Sequence, residues 1–143
     1  QEGDNTSNMR REGYQAACDE AGVTVLDALS GQNTTDGATK TMEDMLNAHP
    51  GEIDIVLCHN DDTAIGAMNA IRDYGKEVPN NIAVVGFDNS KLAAHYTPKL
   101  TSVEHHIYDR AKLAIATLLN DKRKTMSKKI IYEPTLVVRE SSF

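Results

Sequence analysis

Three polar clusters carry the side chains of this 143-residue chain best suited to chemistry: Asn8-Met9-Arg10-Arg11, His59-Asn60-Asp61-Asp62 and Asp88-Asn89. Carboxylates accept hydrogen bonds from hydroxyls or amines, a guanidinium donates in a fork, and an asparagine amide does both. That mix suits a small polar ligand such as a sugar or a nucleobase. Asp88 is the sharpest candidate. It follows Ile82-Ala83-Val84-Val85-Gly86-Phe87, whose four leading apolar residues read as a strand buried on both faces of a parallel sheet. In open α/β sheets ligands collect outside the carboxyl ends of the strands. Asp61 and Asp62 stand before a helical run, where an aspartate ordinarily caps free N–H groups, so capping is the first expectation for each.

Enzyme chemistry finds little support. The chain has no G-x-S-x-G, no P-loop and no G-x-G-x-x-G. Cys58 and His59 are neighbours at a strand end, where successive side chains point to opposite faces, so they do not form a nucleophile–base pair. His105-His106 fails as a chelating pair for the same reason, and the other histidines lack zinc spacing. A carboxylate pocket of Asp61, Asp62 and Asp88 holding Mg²⁺ for phosphoryl transfer is the best enzymatic alternative. It lacks a phosphate-binding loop or a suitably placed lysine. No catalytic residue, metal or cofactor is expected.

The elements that must position these clusters follow from periodicity. Tyr14, Ala17, Cys18 and Ala21 mark a helix over 7–21 with Gly22 placed to end it. Val23-Thr24-Val25-Leu26 reads as a strand. Ala38, Met42, Met45 and Leu46 mark a second helix that stops before Pro50-Gly51. Ile53 to Leu57 is the next strand, and Ala64, Met68 and Ile71 stripe a third helix closing on Gly75. After Asp88 come a short piece over 91–96, a strand over 101–105 and a long helix over 107–121, striped by Ile107, Ala111, Ala114, Leu118 and Leu119. Segments 129–132 and 135–139 read as extended. Alternating strands and helices make the class α/β, with a mainly parallel sheet flanked by helices.

Composition narrows the partners. A net charge of −6 argues against a broad DNA-gripping face. The one basic cluster, Lys122, Arg123, Lys124, Lys128 and Lys129, reads as a solvated loop. No apolar run approaches the roughly 18 residues a membrane span needs. Two cysteines without a CxxC favour a reduced, cytoplasmic chain. Asn5-Thr6-Ser7 and Asn33-Thr34-Thr35 match the glycosylation pattern, as short polar loops often do. The first helix has no strand to deliver it, and the helix over 107–121 has no further parallel strand to wrap. The chain reads as part of a larger protein.

In order and spacing, the clusters resemble the effector-binding core of LacI/GalR-type transcription regulators. The stretches that carry the likeness are Asn8-Met9-Arg10-Arg11-Glu12-Gly13-Tyr14, Asn60-Asp61-Asp62-Thr63-Ala64-Ile65-Gly66-Ala67, Val78-Pro79, Val84-Val85-Gly86-Phe87-Asp88-Asn89, Tyr96-Thr97-Pro98, Leu100-Thr101-Ser102-Val103 and Leu136-Val137-Val138-Arg139-Glu140-Ser141-Ser142. They run over nearly the whole chain. Ribose-type periplasmic binding proteins share the Asn-Asp and Gly-Phe-Asp signals, whereas the Tyr-Thr-Pro and C-terminal features favour the regulators.

The resemblance implies a periplasmic binding protein type I-like fold. Two Rossmann-like subdomains would close on a small effector, with a helix-turn-helix headpiece that reads operator DNA preceding them. Residues 1–106 would form the C-terminal subdomain, 107–125 a helix belonging to the N-terminal subdomain, and 126–143 the return to the C-terminal one. Carried over by position, Arg10, Asn60, Asp88 and His105 are expected to bind the effector. Gln32 stands where many relatives place an aromatic that stacks on the ligand, which fits a site reading hydroxyls. Thr63, Ala67, Lys91 and Tyr96 are expected on a homodimer surface. The function implied is effector sensing, most simply of a sugar, with no membrane contact. The alternative is the sugar-binding receptor of an ABC importer.

Overall fold

The computed structural model describes residues 5–26, 29–119 and 130–142. The elements run α1 (Asn5–Ala21), α2 (Thr35–Ala48), β1 (Ile55–Leu57), α3 (Asp61–Asp73), β2 (Ala83–Phe87), α4 (Lys91–His95), β3 (Thr101–Glu104), α5 (Ile107–Leu119) and β4 (Thr135–Val137). The strands form one sheet in the order β1-β2-β3-β4. Pairs β1–β2 and β2–β3 are parallel, and β3–β4 is antiparallel. The mainly parallel α/β sheet expected from the alternation of elements is thus present.

Helix ends follow local chemistry. Gly22 takes φ +67 after α1, its N–H bonding to Asp19 and that of Val23 to Cys18. This is the left-handed stop that glycine permits. The Thr34 side chain caps α2 by accepting from the Gly37 N–H. For α3 the cap is Asn60, whose Oδ1 accepts from the Thr63 N–H, while Thr63 Oγ1 accepts from the Asn60 N–H in a reciprocal box. The cap thus lies one residue before the two aspartates expected to provide it.

The core is one-sided. Met42 and Leu46 of α2, Ala64, Ala67, Met68 and Ile71 of α3, Ala93 of α4, Val84 of β2 and Leu100 pack into a single buried cluster on one face of the sheet. Along β2 the side chains alternate between buried and half-buried, so the strand is not covered on both faces. The four-residue apolar run resembled a doubly covered strand because Ala83 and Val85, on the thinly covered face, are apolar as well.

Val23–Leu26 forms no ladder among the described residues, and its Val23 and Val25 are 47% and 40% exposed. Strand-favouring residues need a partner, and no described strand runs beside them. Ile55, on the edge strand β1, is exposed too. No residue of α5 is buried; Ile107, Ile115, Leu118 and Leu119 face outward. The extended reading of 135–139 survives as β4, whereas Ile130–Tyr132 is irregular. The basic cluster over 122–129 and the expected end of the last helix lie outside the described residues. Among the described residues no helix is long and apolar enough to cross a membrane.

Candidate functional site

β2 delivers Phe87 to the end of the sheet, and the chain then turns sharply. Asp88 has φ +101 and Asn89 φ +50, left-handed conformations that cost energy in residues other than glycine. The turn is held from all sides. The Asp88 N–H bonds to the Val103 carbonyl and the Asn89 N–H to Ser102 Oγ at 3.0 Å. Asn89 Nδ2 donates to Glu104 at 2.9 Å, and Arg139 Nη2 donates to Asn89 Oδ1 at 2.6 Å. That Asn89 bond, with a smaller one from the His106 N–H, holds the Glu104 carboxyl below its ordinary range.

Asp88 Oδ1 is met by two donors. Arg10 Nη2 of α1 and His105 Nε2 each lie 3.3 Å away. Arg10 Nη1 also donates to the His59 carbonyl at 2.6 Å, and its guanidinium carbon lies 3.8 Å from the centroid of the Phe87 ring. The His105 ring packs on the same phenyl with centroids 5.8 Å apart. Arg110, in the first turn of α5, places Nη1 3.1 Å from His105 Nδ1. A guanidinium can only donate, so Nδ1 accepts and Nε2 carries the hydrogen facing Asp88. The result is a linear chain: Arg110, His105, Asp88, Arg10.

Tyr14 closes the far side, its hydroxyl donating to the Cys58 carbonyl at 3.2 Å. Burial, and then the neighbouring Cys58, pushes the Tyr14 hydroxyl up to about 12. Arg10, Tyr14, Phe87, His105 and Arg110 line an open cleft of about 550 Å³, an aromatic floor with two guanidinium groups, and Asp88 adjoins it through Arg10 and His105. Such a wall can orient a polar molecule by charge-assisted hydrogen bonds and cover an apolar ring face with Phe87.

Residues 1–142 match the family described as the periplasmic binding protein-like domain. The chain belongs to that family. The probable HTH-type transcriptional repressor ExuR of Bacillus subtilis (strain 168) is 35% identical over 98% of this chain and 43% of its own length. The HTH-type transcriptional regulator GalR of Escherichia coli (strain K12) is 33% identical over 92% of this chain and 39% of its own length. A LacI-type transcription regulator from Bifidobacterium animalis subsp. lactis superposes with a TM-score of 0.79 at 31% identity, covering 96% of this chain and 51% of that one. The lac repressor dimer bound to operator and the anti-inducer ONPF superposes at 0.86 with 24% identity, a likeness of fold. The expected resemblance to LacI/GalR-type regulators is borne out. The chain spans less than half the length of these curated relatives.

Within this periplasmic binding protein-like fold, the expected ligand-binding residues separate into groups. Arg10, Asp88 and His105 converge. Asn60 sits at the neighbouring strand end, with Oδ1 committed to the α3 cap and Nδ2 donating to nothing among the described residues. Gln32 is exposed, with φ +54, in the loop before α2, and does not line the cleft. A carboxylate pocket for a metal does not assemble. Asp61 is 2% exposed and accepts from Ser102 Oγ and the Ser90 N–H, both at 2.6 Å. Asp62 is exposed. No group of His, Cys, Asp or Glu suited to a metal ion occurs among the described residues.

Two of the four residues expected on a dimer surface lie inside this chain. Thr63 belongs to the α3 cap and Ala67 to the buried cluster, at 7% and 3% exposed. Small residues on a helix packed between a sheet and α2 belong to that packing, and Ala67 is one of them. Lys91 is exposed and Tyr96 half-buried, with its hydroxyl on Asn69 Oδ1 at 2.5 Å. Sequence reasoning missed Phe87, Arg110, Glu104 and Arg139 as parts of the site. Arg110 carried a usable signal, since it follows His105 by five residues, in the first turn of the helix.

Proposed function

We propose that this chain is the effector-binding portion of a LacI-type transcription regulator, and that a small polar effector, a sugar in the simplest case, binds against Asp88. The observation that carries the reading is the strained turn at φ +101, which sets an aspartate between Arg10 and His105, two residues that line the cleft. Strain of this kind persists where surroundings over-determine it, and it clusters at ligand sites. The naming of the matched relatives as regulators and repressors favours this reading over an importer's receptor. It also makes effector sensing a better account than enzyme turnover.

In the proposed intact protein, residues 1–106 and 126–143 belong to the C-terminal subdomain and residues 107–125 to the N-terminal one. The exposed apolar stripe of α5 supports that division. The effector binds one closure state better than the other, and that difference is what alters how paired headpieces sit on operator DNA. Lys91 and Tyr96 lie on the surface through which two copies pair, in the cytoplasm. The test is Asp88→Ala in the intact protein, titrated calorimetrically with neutral sugars and their acids. Loss of effector affinity with operator binding retained is expected. Unchanged affinity overturns the assignment.

A further inference from the structure

The cleft has a charge surplus opposite to that of the chain. Two permanent cations, Arg10 and Arg110, line it with no carboxylate among the lining residues, and Asp88, beside it, pairs with Arg10, in a protein of net charge −6. His105 stands between Asp88 and Arg110. Arg10 is engaged at both terminal nitrogens, one on the His59 carbonyl and the other on Asp88, with its face on Phe87.

Arg110 is engaged by one nitrogen alone, on His105 Nδ1, and pairs with no carboxylate among the described residues. Glu104, the nearest acid on β3, is turned away to Asn89 Nδ2 and the His106 N–H. Asp109 is the residue before Arg110 on α5 and points about 100° around the helix axis from it. The first turn of α5, a helix of 13 residues, adds the positive end of its dipole to the same rim.

A guanidinium with free donors on a concave wall is suited to a planar anion, which it grips through two parallel hydrogen bonds. When the cleft closes over a neutral ligand, the second cation is taken from water with no carboxylate partner among the described residues, which is costly. A single negative charge on the ligand removes that cost and matches the surplus of one. A phosphate dianion overshoots it and faces Asp88.

We propose that the effector is an acidic sugar, whose carboxylate is taken by Arg110 while Asp88 accepts from its hydroxyls. The proposal rests on the effector-site reading above and names the ligand class for that site.

The test is calorimetry on the intact protein with D-galactose against D-galacturonate and D-glucose against D-glucuronate, with the corresponding hexose 6-phosphates as a third arm. At least one uronate is expected to bind tenfold or more tighter than its aldose and tighter than its phosphate. Arg110→Gln should cut that uronate-to-aldose ratio at least tenfold, with the thermal midpoint retained because Arg110 is exposed. Aldoses binding as well as uronates, phosphates binding best, or a ratio that survives Arg110→Gln each overturns the acidic-sugar proposal while the sugar-site reading stands. Binding in none of the arms overturns both.

Discussion

The guanidinium carbon of Arg10 lies 3.8 Å from the centroid of the Phe87 ring, so α1 is fastened to the end of β2 by a cation stacked on an aromatic face. The same guanidinium spans the His59 carbonyl and Asp88 in a planar fork. Lysine has the charge without the fork or the plane. Arg10→Lys is therefore expected to weaken effector binding by about 2 kcal/mol, some thirty-fold, as two charged hydrogen bonds become at most one. Titration calorimetry checks this, and full affinity in the variant would show that the fork is dispensable.

Asp88 separates function from stability. Its φ of +101 suits glycine, so Asp88→Gly should relieve strain and raise unfolding free energy by about 1 kcal/mol while removing the acceptor proposed for the effector. Urea denaturation and a binding titration on the same variant read both sides. A large loss of stability instead would make the carboxylate a structural brace.

Gly86 is fixed by space. A Cβ there would collide with Asp61 Oδ1 and crowd Leu100 Cδ2. Gly86→Ala should thus cost about 1–3 kcal/mol, the range for overpacking, and displace the carboxylate that ties Ser102 and Ser90 to α3. A shift of the urea midpoint measures it. A neutral result would mean that Asp61 swings aside freely.

The two thiols should react unequally. Burial, and then Asp61, pushes the Cys58 thiol up to about 12, while Cys18 is only half-buried. Iodoacetamide at pH 8 is expected to modify Cys18 in the native protein and both cysteines in urea, because the thiolate is the reactive form. Mass spectrometry gives the stoichiometry. Early labelling of Cys58 would show that the β1 end opens readily.

Acid should loosen the turn that presents Asp88. The folded-state pKa of Glu104 is depressed, chiefly by the Asn89 hydrogen bond, so its contribution is present above the ordinary carboxylate range and is lost as pH falls through the folded value. Between pH 7 and 3 the wild type should lose more stability than Glu104→Gln, followed by thermal melting. Parallel curves would remove Glu104 from the acid response.

Helices α2 and α3 were legible because their apolar stripes, Ala38-Met42-Leu46 and Ala64-Met68-Ile71, face one core. Asp88 was legible because it ends an apolar strand. Asn60 was harder: caps are decided by which side-chain oxygen reaches the third N–H, and Asn60, Asp61 and Asp62 all qualify by type. Val23–Leu26 misled because β-propensity describes a residue's fit to a pleated surface and not the presence of a partner. The Arg110–His105–Asp88–Arg10 chain joins residues up to 100 positions apart, beyond the reach of local patterns.

The chain leaves the sheet after Glu104 and re-enters at Thr135, and these two residues sit opposite one another in the β3–β4 pairing. Helix α5 thus departs from the sheet beside that pair, with His105 tied back to Asp88. A torque applied through α5 enters the sheet there, where Glu104 also grips Asn89, next to Asp88. Any such rotation would pivot beside that carboxylate.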